Sequence, residues 1–226
     1  MQGVPKNYFT VPGAAATNPP NSGVVTAVFP ATSGYFGGGT GESWDRYIIS
    51  ERQHFKNIAL FPDKHYILVE DIELTERGGN WIPIPVFKGD LNGSGYAVWF
   101  EGIRDDSQKK YAGLFRVNLG VITNLDVSGT MEVTGDGVFA GMIAGLNKGS
   151  ISHCTASRTS WSKGGSIMIN NDYCGSSAGG IAGENNGDIK HCINYGDIYS
   201  EGGIDGIAAV NHGVLMYNQN HGQLLP

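Results

Sequence analysis

Apolar positions change their rhythm along this chain, and the changes mark its parts. Residues 1–43 show no sustained period: Gly, Pro, Ala, Thr and Ser dominate, with Asn18-Pro19-Pro20-Asn21 and Gly37-Gly38-Gly39 as breakers. Such a segment disfavours helix and reads as an extended arm or linker. Its one apolar stretch, Val24–Phe29, is suited to adding a strand to something larger. A different pattern starts at Trp44. Ser50-Glu51-Arg52-Gln53 has the form of a capping box, and Phe55, Ile58 and Ala59 follow at helical spacing, which predicts a short helix over about 51–60, stopped by Pro62. His65–Val69 reads as a strand, and a polar break follows at 76–80. Pro83 and Pro85 remove backbone donors from the run Ile82–Phe87, which therefore cannot be a central ladder strand throughout. Asn92-Gly93-Ser94-Gly95 predicts a turn before a strand at Tyr96–Phe100.

Beyond residue 110 the apolar pattern repeats. A nine-residue phrase recurs as Leu114–Ile122, Ile143–Ile151, Ile181–Ile189 and Ile207–Leu215, with starts 29, 38 and 26 residues apart. Periods of this order mark solenoids. Within the phrases Asn118, Asn147, Asn185 and Asn211 each stand two residues before Gly120, Gly149, Gly187 and Gly213. Asn and Gly tolerate the left-handed backbone of a tight turn, and asparagines stacked at ~4.8 Å can bond to one another along the axis. The flanking Ile, Leu and Val then face inward, and a coil that cannot bury that face alone must stack on its neighbours. The pattern predicts an all-β fold, a right-handed parallel β-helix with a short N-terminal capping helix. Residues 1–43 form its arm, 44–110 its cap and first coils, and 111–226 the repeat coils, with an insertion at about 158–177.

Composition narrows the class. Glycine contributes 35 of 226 residues, apolar residues 40 % and charged residues 16 %, so there is enough apolar surface for a core, built from short strands and tight turns. A net charge of −6 without a basic run leaves no nucleic-acid footprint. No apolar stretch approaches the ~18 residues of a membrane helix, so no membrane insertion is expected. Met1–Pro5 has neither a charged n-region nor an apolar h-region. Only Gln223–Pro226 follow the last repeat, so the stack is expected to continue in the intact protein, or otherwise to fray or self-associate through this edge.

Gly113-Leu114-Phe115, Ile143–Gly149 and Gly180–Gly187 resemble the GLUG repeats of bacterial cell-surface proteins. The lead-in, from Tyr47–Ser50 through Tyr66–Leu68 and Trp81–Ile84 to Phe87–Tyr96, is similar to what precedes such repeats. The likeness spans roughly 47–222, and departs from the pattern at Ala209, where Gly is usual, and in the 38-residue spacing. It implies a β-helix in an adhesin, a secreted protein, or a region beside the catalytic domain of an immunoglobulin-A-cleaving metallopeptidase.

Candidate chemistry is sparse. His153-Cys154 and His191-Cys192 occupy matching repeat positions and suggest zinc, but strand alternation sends Cys inward and His outward. The aligned Leu125 and Asn218 make the column mainly apolar, so the cysteines read as small core residues, with a Cys154–Cys192 disulfide as the alternative and no metal expected. Replacing either by Ala is expected to cost of order 1 kcal/mol in packing. Acids do not line up: Asp188 aligns with Val121, Ser150 and Val214, and Asp126 with Thr155 and Ile193. Asp71 belongs to the lead-in, with Glu70 and Glu73 alternating towards solvent. H-E-x-x-H and G-x-S-x-G are absent, so no catalytic residue and no cofactor is expected. Asn92-Gly93-Ser94 is formally a glycosylation sequon but reads as the turn. The insertion carries Trp161, Met168 and Tyr173 among Ser, Gly and Asn, the composition of a contact loop; the alternative is a short strand pair covering the core. The reading is a non-catalytic binding, adhesion or display module of a larger exported protein, extracellular or at the cell surface, with a host or environmental protein or glycan as partner. The alternatives are a scaffold beside a secreted peptidase domain, a phage or injection-system receptor-binding spike, and a glycan-active β-helix enzyme.

Overall fold

Parallel strands stack into four columns in a computed structural model, which describes residues 34–75, 81–105, 110–133, 137–156, 166–169, 176–200 and 202–225. The chain visits the columns in a fixed order, and each visit pairs with the visit one coil earlier, which makes the fold a parallel β-solenoid. One column stacks seven strands, from Tyr47–Ile49 and His65–Leu68 down to Val214–Met216. The next holds nine strands on its main path and branches, including Ala97–Asp105, Asp126–Val133 and Asp197–Ser200. A four-strand column and a five-strand column close the circuit. Among the described residues Ile84–Phe87 is the edge of the five-strand column and pairs only with Phe115–Asn118, so Pro85 breaks no interior ladder there.

The repeated phrase sits where the five-strand column turns into the seven-strand one. Registers align Asn118, Asn147, Asn185 and Asn211 in a single column. The Nδ2 of Asn118 donates to Asn147 Oδ1, Asn147 to Asn185, and Asn185 to Asn211, each at 2.8 Å. The first three are fully buried and the last is exposed. Local bonds complete the set, with Gly120 N and Gly187 N donating to the Asn two residues before them.

The role assigned to the glycines differs from expectation. None of the four Asn or their four Gly has a positive φ. The glycines are required by close approach: a Cβ on Gly149 would lie 2.0 Å from the Gly120 carbonyl oxygen, and one on Gly187 2.1 Å from that of Gly149. Gly89 heads the same column, since a Cβ on Gly120 would meet its oxygen at 2.2 Å. Left-handed backbone occurs instead at the opposite end of the seven-strand column, at Asn124, His153, His191 and Tyr217, with φ between 52° and 57°.

The N-terminal end is closed by aromatic residues. The helix Arg52–Asn57 continues as a 3-10 turn, Ile58–Leu60, and both Phe55 and Ile58 are fully buried. Phe55 meets Trp81 edge-on at 5.8 Å and Phe115 at 6.1 Å. The capping-box reading is corrected: Glu51 is the N-cap and makes no side-chain cap bond, while the Ser50 hydroxyl lies 3.3 Å from His54 Nδ1. Phe36, which composition assigns to the arm, stacks on Tyr47 at 4.1 Å and is buried. Burial raises the pKa of the Tyr66 hydroxyl far above its usual range, and that hydroxyl donates to the Phe61 carbonyl. Down the stack the core residues shrink. Phe115 registers with Ala144, Ala182 and Ala208, and Tyr66 with Leu91 and then Ile122, Ile151 and Ile189. The last coil leaves Val214, Leu215, Met216 and Leu224 exposed at 38–42 %.

Candidate functional site

A corner that takes left-handed backbone on the four repeat coils directs its side chains away from the core. Thr123, Ser152, Lys190 and Met216 are in register, so Asn124, His153, His191 and Tyr217, one residue on, form the corner's outer column. All four are exposed, Tyr217 at 72 %. The imidazoles of His153 and His191 stack at 4.9 Å, and His191 stacks on Tyr217 at 4.9 Å. Four residues further on, Tyr195 stacks on His221 at 5.1 Å. That second pair is held by another asparagine column absent from the sequence reading. Asn194 Nδ2 donates to Asn220 Oδ1 at 2.8 Å, and each asparagine also bonds the glycine carbonyl two residues on, at Gly196 and Gly222.

Above the ring stack, Asn92, Ser94, Gly95, Asn124, Asp126 and His153 line a shallow groove of about 410 Å³. Asn92 Oδ1 accepts from Asn124 Nδ2 at 3.1 Å and from Ser94 N at 2.9 Å, so Asn92 acts there as a turn residue. The Thr155 hydroxyl donates to the Asp126 carboxylate. The groove is polar and continuous with the rings. Because the rings stack along the solenoid axis, their inner faces are covered by neighbouring rings. The imidazole nitrogens and the tyrosine hydroxyl are left for hydrogen bonding, and the outer face of Tyr217 for stacking. Rings and polar groups in this arrangement are suited to contact with a ligand.

The residues singled out from sequence fall as follows. Trp161 and Tyr173 lie outside the described residues. Met168 lies in the strand Ser166–Ile169, in register between Glu132 and Tyr199, so this part of the insertion is a rung of the nine-strand column. Cys154 and Cys192 are buried and unpaired by disulfide, while His153 and His191 are exposed; the left-handed corner between strands, and not strand alternation, sets these directions. Asp71 Oδ1 accepts from Ala97 N at 2.8 Å, which ties one coil to the next. No group of three His, Cys, Asp or Glu side chains converges among the described residues as a metal site would require. No helix among them is long and apolar enough to cross a membrane.

No protein-family model matches the chain, and no curated protein matches it. A solved structure it resembles is that of a protein from Bacteroides ovatus described as a "putative immunoglobulin A1 protease". The two superpose with a TM-score of 0.54 at 16 % identity, over 84 % of this chain and 78 % of that one. At that identity the likeness is one of fold.

Proposed function

We propose that this chain is a non-catalytic binding, adhesion or display module of an exported bacterial protein, built from GLUG-like repeats and working outside the cell. The observation that carries the reading is the exposed stack of His153, His191 and Tyr217 beside a polar groove. Aromatic rings held at the surface of a rigid scaffold are what protein and glycan recognition uses. The exposed rim of Val214, Leu215 and Met216 supports a second contact surface at the last coil, suited to self-association. A scaffold role beside a peptidase domain is the second reading, favoured by the fold shared with the Bacteroides ovatus protein.

Binding of the chain to a glycan panel and to a panel of extracellular proteins that includes immunoglobulin A1 tests the proposal. At least one panel member should bind. Tyr217→Ala and His191→Ala should each weaken that binding about tenfold, roughly 1.4 kcal/mol, with an unchanged circular dichroism spectrum. Wild-type affinity in both variants, with loss on Trp161→Ala or Tyr173→Ala instead, would move the site to the insertion. Immunoglobulin A1 as the sole bound member would favour the scaffold reading.

A further inference from the structure

We propose that Cys154 and Cys192 form a disulfide that clamps two consecutive coils when the protein folds in an oxidising compartment. The geometry points there from both sides of the pair. Ser152 registers with Lys190 and Thr155 with Ile193, so Cys154 and Cys192 face each other with no slip. The rings of His153 and His191, one residue before, stack at 4.9 Å with planes 14° apart, which fixes the same alignment at the corner. In-register neighbours on parallel strands are ~4.8 Å apart, inside the Cα window a disulfide spans. Both side chains point into the core and the thiols are within hydrogen-bonding reach of each other.

Inside the closed coil the two thiols are shifted in opposite directions. Burial pushes the Cys154 thiol well up, while the hydrogen bond from Cys154 holds Cys192 down. Exchange needs an opened coil in which these surroundings are lost, so either cysteine can act first, and Cys192 here stands for either. Its thiolate attacks the disulfide of a thiol–disulfide oxidoreductase, releasing one catalyst thiolate and leaving a mixed disulfide. Cys154 then attacks the Cys192 sulfur and displaces the second catalyst thiolate. The two thiol protons and two electrons pass to the catalyst, which leaves as a dithiol. Both sulfurs are covered in the finished coil, so the exchange takes place during folding or local opening. The bond closes the loop 154–192, which contains the whole insertion and ties its two ends together.

The sequence has a third cysteine, Cys174, so the test uses the full chain and a Cys174→Ser variant, each made in a reducing and in an oxidising compartment. Oxidised Cys174→Ser should be about 2 Da lighter, the two hydrogens lost, and should show no reactive thiol after denaturation. It should melt about 5–10 °C above the reduced form, a gain that vanishes in a further Cys154→Ser or Cys192→Ser variant. Peptide mapping of the oxidised full chain should find the Cys154–Cys192 link. Two titratable thiols in the oxidised Cys174→Ser protein, or a link from Cys174 to either partner in the full chain, would overturn the proposal.

Discussion

Replacing Asn147 by Ala should destabilise the protein by about 2–4 kcal/mol, read as a shift in denaturant midpoint at unchanged slope. Asn147 is fully buried at the centre of its column and serves both neighbours. Its loss removes the acceptor of Asn118 Nδ2 and a donor to Asn185 Oδ1, both at 2.8 Å, and the donor that reaches the Asp188 carbonyl at 3.2 Å. The cost is that of buried polar groups left short of protein partners. Asn211→Ala is the control. Asn211 is exposed and ends the column, so its loss should cost less than about 1 kcal/mol. Similar losses in the two variants would remove the ladder from the account of stability.

Gly149→Ala should be about as damaging, at 2–4 kcal/mol by estimates for overpacking (~1–3) plus backbone displacement. The added methyl would lie 2.0 Å from the Gly120 carbonyl oxygen, and that atom is backbone in a paired coil, so a rotamer change cannot relieve the clash. Gly95→Ala separates close approach from backbone conformation. Gly95 has φ +83°, but nothing lies within 4 Å of a Cβ there, so its substitution should cost only about 1 kcal/mol. If Gly95→Ala proved the worse, conformational freedom and not coil spacing would be what the glycines supply.

The solenoid was legible because its constraint is local and recurrent: each of the four repeat coils has an inward aliphatic residue, a ladder asparagine and a bare glycine, in that order. The physical role of the glycine was not legible. Asn-x-Gly is also the signature of a left-handed turn, and only contact with the coil above distinguishes the two. The Asn194–Asn220 column has the same Asn-x-Gly spacing, but its neighbours one and two coils earlier are Ala156 and Val127, so it spans only two coils and is too short to register as a repeat. The ring stack was hidden for another reason. His153 and His191 looked like the outward residues of a strand, and nothing in a sequence shows that an imidazole occupies a left-handed corner, a conformation uncommon outside glycine. The insertion admits both a contact loop and a short strand pair, because Ser166–Ile169 is short and is surrounded by Gly, Ser and Asn; its strand character comes from pairing on both sides.

Every distance at the corner depends on coils held in register by asparagine columns. Exchange of asparagine side-chain amide protons, followed by NMR on the 15N-labelled protein, tests this most directly. The Nδ2 protons of Asn118, Asn147 and Asn185 should exchange orders of magnitude more slowly than those of exposed Asn211 and Asn220. Equally fast exchange at all five would show that no ladder exists and would contradict the stacked-coil account.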